Sequence, residues 1–127
     1  MGWEDSLYLE LDPKIRNLVR ALNENGIRTD GSCEGHLDPD KSPHPHVSIP
    51  LDPRNIAHWR ALFWLFQKLG EWNSQGHEWV LRPFYFDPAY PSWFFLEPRE
   101  ENNDRDPSVL VRLQKEAEDL AEFLSRF

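Results

Sequence analysis

One cysteine, Cys33, lies within the run Thr29-Asp30-Gly31-Ser32-Cys33-Glu34-Gly35-His36, and His44 and His46 follow shortly after. Thiolate, imidazole and carboxylate are the donor types of zinc, and a site with three protein ligands keeps one position for water. Cys33, His36, His44 and His46 are therefore the candidate metal ligands. The Cys-x-x-His pair sits on a tight turn, and the two histidines of His-x-His point to one side of a strand. With zinc bound, the natural chemistry is metal-assisted hydrolysis or group transfer on a small ligand. Glu34 is then the candidate general base and His46 a ligand or acid. Ser32 and Gly35 flank the same pocket as ligand-binding positions.

The same residues admit other chemistry. Cys33 can serve as a nucleophile activated by His36 or His46, which with Glu34 makes a candidate catalytic set. The neighbouring Glu34 raises a thiol pKa and opposes that use. The amides from Gly31 to His36 can cradle an anion, with Arg28, Arg82 and Arg99 adding charge. The arginines otherwise pair with Glu97 or Glu100. The plainest reading is a small, packed cysteine beside surface histidines on a proline-stiffened loop.

Three Asp-Pro pairs mark helix starts that must position this loop: Asp12-Pro13, Asp52-Pro53 and Asp106-Pro107. In each, the aspartate caps free backbone N–H groups, and the proline lacks only an N–H that has no helical partner. Behind the first, Ile15, Leu18, Val19 and Leu22 form an apolar stripe ending at Asn25-Gly26. Behind the second, Ile56, Trp59, Phe63 and Phe66 share a face that Leu62, Leu65 and Leu69 widen, with Gly70 as the stop. Behind the third, Val109, Leu113, Ala117, Leu120 and Leu124 recur at helical spacing.

Between the helices the period changes to two. Strands are expected from Ile27-Arg28-Thr29, over His46–Ile49, over His77–Phe86 and over Ser92–Glu97, with a hairpin loop at 87–91. Pro83 marks an edge or a bulge. The expected fold is α+β in the order αββαββα, an antiparallel or mixed sheet of about four strands with three helices on one face. The loop from Glu34 to Pro45 is long for a small domain, and such loops are often functional.

The length of 127 residues suits one domain, 1–127. A net charge of −8 opposes a protein that coats nucleic acid by neutralising phosphates. It equally disfavours a helix lying on an anionic membrane. No apolar run approaches the roughly 18 residues that span a bilayer. The opening Met1-Gly2-Trp3-Glu4-Asp5 is acidic, unlike a signal peptide. The lone cysteine excludes an intramolecular disulfide and suits the reducing cytoplasm, where the chain is expected to reside.

The last two strands are apolar on both sides, and helices on one face leave the other bare. A homodimer burying Trp93 or Trp79 is the expected remedy. The alternative cover is the segment from Trp3 to Leu11. On the dimer reading the aromatic hairpin is the working surface of a non-enzymatic interaction protein. Trp59, Trp64, Trp79 and Trp93 also offer a platform for a planar ligand or base.

Gly26-Ile27-Arg28-Thr29, Ser32-Cys33-Glu34-Gly35-His36 and Pro45-His46-Val47-Ser48-Ile49 together resemble small uncharacterised bacterial proteins with the same Gly-Ile-x-Thr turn and Ser-Cys-Glu-Gly-His loop. That likeness brings no activity with it. The turn also resembles the wybutosine-synthesis tRNA methyltransferase family, with its Ser-Cys-Ser-Gly turn followed by a basic residue. Ser32, Cys33 and Gly35 match that turn, while Glu34 replaces a serine and His36 the basic residue. The likeness covers about a quarter of the chain and implies S-adenosylmethionine and a modified tRNA base as ligands.

Overall fold

A computed structural model describes residues 11–85, 92–99 and 105–127. The elements are α1 (Pro13–Glu24), β1 (Gly31–Cys33), β2 (His46–Pro50), α2 (Ile56–Asn73), β3 (Trp79–Phe84), β4 (Trp93–Pro98) and α3 (Pro107–Leu124). All strand pairs are antiparallel, and the sheet order is β1-β2-β4-β3. The expected α+β order is thus observed, with the sheet purely antiparallel. Pro83 lies on the edge strand β3, where its missing N–H costs no ladder bond.

Strand alternation sorts the residues into two faces. Val47, Ile49, Phe94, Leu96, Trp79 and Leu81 face the helices. They join Ile15, Leu18 and Leu22 of α1, Leu62, Leu65 and Leu69 of α2, and Leu120 and Leu124 of α3 in one core. The opposite face carries His46, Ser48, Arg82, Phe84, Trp93 and Phe95, paired across the strands. Trp79 is 0% exposed, which removes it from any dimer interface. Trp93 stays partly exposed, and its indole N–H donates to Asp30 at 2.8 Å. The hairpin loop at 87–91 and residues 3–10 of the alternative cover lie outside the described residues. Among those described, no helix is long and apolar enough to cross a membrane.

Two expectations shift in register. The first strand begins at Gly31, because residues 26–29 close α1. Gly26, at φ +81°, donates to Asn23 O and Ile27 to Leu22 O, the double bond of a Schellman terminator. The Asn23 amide then holds the Ile27 carbonyl and the Thr29 hydroxyl. Helix α2 begins at Ile56 behind Asn55, whose side chain accepts from the Ala57 amide, while Asp52 is spent on the preceding turn.

Helix α2 also continues past Gly70. It buries Leu62, Leu65, Leu69 and Trp72 and leaves Ile56, Phe63 and Phe66 exposed. The two interleaved apolar stripes differ by a rotation of about 100°. Trp72 extends only the leucine stripe and stacks on His77 at 3.9 Å, so that stripe faces the core.

Candidate metal centre

The site forms where the start of α1 meets the end of β1. Asp12 occupies the N-cap position of α1, yet its side chain makes no cap hydrogen bond. Its Oδ2 instead accepts from the Glu34 amide at 3.2 Å and lies 3.2 Å from Nε2 of His36. Glu34 performs the missing cap, because its Oε1 accepts from the Lys14 amide at 2.9 Å. The two carboxylates have exchanged tasks. At α3, Asp106 caps in the ordinary way, accepting from the Ser108 amide at 2.9 Å.

This exchange brings Asp12 beside Cys33 and His36. One ligand atom from each lies within 4.8 Å of the other two, and among the described residues this is the one such group of three. The Asp12 and His36 side chains keep 38% and 23% of their exposure, so the group opens to solvent. Sequence reasoning found two of the three residues. Asp12 was hidden because Asp-Pro before an apolar stripe signals a cap, and no local spacing links it to a turn 21 residues downstream.

The loop carrying His36 is held from three sides. Gly35 turns it at φ +86°, and a Cβ there would meet Leu110 Cδ1 at 2.6 Å and the His44 backbone at 3.0 Å. The Gln114 amide donates to Glu34 O at 3.0 Å. The Arg105 guanidinium donates to four carbonyls, those of His36, Asp38, Pro39 and Lys41, at 2.9–3.2 Å. Arg105 itself sits at φ +51°, a left-handed conformation that its four bonds help to hold. Arg105 and Gln114 carry no motif and are legible only in three dimensions.

The remaining expected site residues lie outside this group of three, and His46 alone stands directly opposite one of its members. Cys33 pairs with His46 across β1 and β2, which sets both on the outer side of the sheet. Ser32 pairs with Val47 and faces the helices, so it does not share a pocket with Cys33. His44 stands off the metal group, with Nε2 3.1 Å from Glu97 Oε1, and its buried Nδ1 has no partner among the described residues. His46 Nδ1 lies 3.4 Å from the His44 carbonyl and 3.3 Å from the Ser42 hydroxyl. A carbonyl only accepts, so the contact to His44 is a hydrogen bond in the tautomer with the proton on Nδ1, which leaves the lone pair on Nε2. Glu34, expected as a general base, is committed to the helix cap.

The anion cradle does not form as expected. Among its amides, Glu34 N–H goes to Asp12, His36 N–H to the Ser42 carbonyl, and Gly35 N–H to Cys33 Sγ at 3.4 Å. Arg82 pairs with Glu97. The nucleophile reading meets a thiol held protonated. Burial pushes the Cys33 pKa up, and the charges of Asp12 and Glu34 with a hydrogen bond to Asp12 add to this against the Gly35 amide. A cation in place of that proton reverses the balance, since the same acidic surroundings favour positive charge.

Two neighbouring groups set the acid response. Burial lowers the His46 pKa below 6.5, with His44 adding to the effect and Glu97 and the His44 carbonyl opposing it. Burial alone would raise Glu97, but hydrogen bonds and charge from His44 and Arg82 outweigh it and hold the carboxyl below 4.5. In both cases the unfolded chain takes up protons first as the pH falls, so acid favours unfolding. With chelator present, the urea midpoint is expected to fall below about pH 6.5 and again below about pH 4.5. His46→Asn flattens the first stage and Glu97→Gln the second. A midpoint constant from pH 7 to pH 4 contradicts this.

Comparison of the chain with protein-family models, with curated proteins and with solved structures gives no significant match.

Proposed function

We propose that this chain binds one zinc ion through Asp12, Cys33 and His36 and uses it in a hydrolytic or transfer reaction on a small ligand. The observation that carries the reading is the convergence of three chemically different donors within 4.8 Å, one of them an N-cap carboxylate that does not cap its own helix. Ligand atoms on a tetrahedral zinc stand about 3.3–3.8 Å apart, as bond lengths of about 2.0–2.3 Å require. Asp12 Oδ2 and His36 Nε2 already stand 3.2 Å apart, so a small side-chain adjustment completes that geometry. Mixed oxygen, nitrogen and sulfur donors suit zinc better than magnesium or calcium, which prefer all-oxygen sites.

Three protein ligands leave a position for water, and bound zinc lowers the pKa of that water toward neutrality. His46, opposite Cys33 and with its lone pair on Nε2, is the base that takes a proton there. Its lowered pKa keeps it neutral at pH 7, the state a general base needs.

Titration of the reduced, metal-free protein with zinc against a chromophoric chelator tests the reading. One equivalent is expected to bind, with protons released as the thiol gives way to the ion. Cobalt in its place should show a thiolate-to-metal charge-transfer band that Cys33→Ser abolishes. Hydrolysis of a panel of esters and phosphoesters should require the loaded metal and fall on His46→Asn. Failure to bind zinc more tightly than a Cys33→Ala, His36→Ala double variant overturns the proposal.

A further inference from the structure

We infer that Glu34 is a positioning residue that frees the Asp12 carboxylate for the metal by taking over the capping of α1. The inference rests on the zinc reading above and assigns a task to a residue outside the ligand set.

An aspartate at an N-cap ordinarily turns its carboxylate back onto the second or third amide of its own helix, which stabilises the helix. Asp12 has this opportunity at Lys14, the second residue of α1, because the third amide, Ile15 N–H, already donates to the Asp12 carbonyl at 3.2 Å. A free Asp12 would therefore point along the helix axis, away from Cys33 and His36. The Lys14 amide is already satisfied, however, by Glu34 Oε1 at 2.9 Å. The Glu34 backbone N–H completes the arrangement by drawing Asp12 Oδ2 across at 3.2 Å. The same residue thus blocks the competing position and offers the replacement. Its own placement is fixed by the buried Gln114, which donates to its carbonyl, and by Gly35, whose close approach to Leu110 admits no side chain.

The charge pattern is consistent with this division. One carboxylate lies at the positive end of α1, where the helix dipole favours it. The other lies between a thiol and an imidazole, where it favours a cation.

The test is a zinc-affinity cycle by chelator competition on the full chain. The variants are Glu34→Ala and Glu34→Gln, and Asp12→Ala alone and combined with Glu34→Ala. Loss of a group that orients a metal ligand typically weakens binding by about 10–100-fold, and Glu34→Ala should fall in that range. Glu34→Gln keeps an acceptor oxygen for the Lys14 amide and should restore most of the affinity. In the Asp12→Ala background, Glu34→Ala should cost nothing further, because its effect passes through Asp12. The thermal midpoint of Glu34→Ala should change little, since Asp12 resumes the cap. Should Glu34→Ala fail to fold, Glu34→Asp provides the same readout, because its shorter side chain keeps the charge but not the reach.

Unchanged affinity in Glu34→Ala, or an equal loss with and without Asp12, overturns the inference while leaving the zinc site standing. Absence of zinc binding in the unsubstituted protein overturns the site itself.

Discussion

Replacing Cys33 by alanine is expected to weaken zinc binding by more than about 100-fold, beyond what loss of an orienting neighbour costs. Removal of the thiol deletes the one sulfur donor and leaves Asp12 and His36 as a two-ligand remnant. His36→Ala should have an effect of similar size, because its imidazole is the nitrogen donor of the group. His44→Ala should leave zinc affinity nearly unchanged, since Nε2 of His44 serves Glu97 rather than the metal group. This contrast separates the three-residue centre from a four-residue set of Cys33, His36, His44 and His46. Cys33 is only partly buried, so the variant should remain folded, with a stability change of about 1 kcal/mol or less. Chelator competition measures the affinity and urea unfolding the stability. Equal losses in Cys33→Ala and His44→Ala would refute the assignment.

Gly35→Ala is expected to be the most destructive small substitution in the loop. The left-handed φ of +86° costs an alanine about 1 kcal/mol. The added methyl would also stand 2.6 Å from Leu110 Cδ1 and 3.0 Å from the His44 backbone. The Leu110 side chain can rotate away, but the backbone contact cannot be relieved without moving the loop. Overpacking of this kind costs about 1–3 kcal/mol, giving a destabilisation of about 2–4 kcal/mol in urea unfolding. Displacement of the loop moves His36 away from Asp12, so zinc affinity should fall together with stability. Gly76 is a useful control. It has φ +105° with nothing within 4 Å of a built Cβ, so alanine there meets backbone strain alone and should cost less. Equal stability losses at the two glycines would show that the contacts around Gly35 do not matter.

Local rules that act over a few residues were legible in the sequence. Helical stripes located α1 and α3, period-two runs located β2, β3 and β4, and Asn25-Gly26 marked the end of α1. The α+β order followed from these elements. Cys33 and His36 were visible as a pair because the turn that joins them spans only four residues. Choices between two locally equal options were decided by tertiary structure. Helix α2 carries two apolar stripes, and periodicity weighs them alike. Its packing on the sheet turns the leucines inward and leaves Phe63 at 71% exposure. Asp12, Asp52 and Asp106 share one dipeptide signature, yet they become a carboxylate turned toward Cys33 and His36, a turn residue and a helix cap. The difference lies in what approaches each from elsewhere in the chain. Glu34 reaches the start of α1 from 20 residues away, whereas Asp106 keeps the amide of its own helix at Ser108. Cap chemistry is local and can be read from a dipeptide, whereas competition for the same amide by a distant carboxylate exists only once the chain has folded.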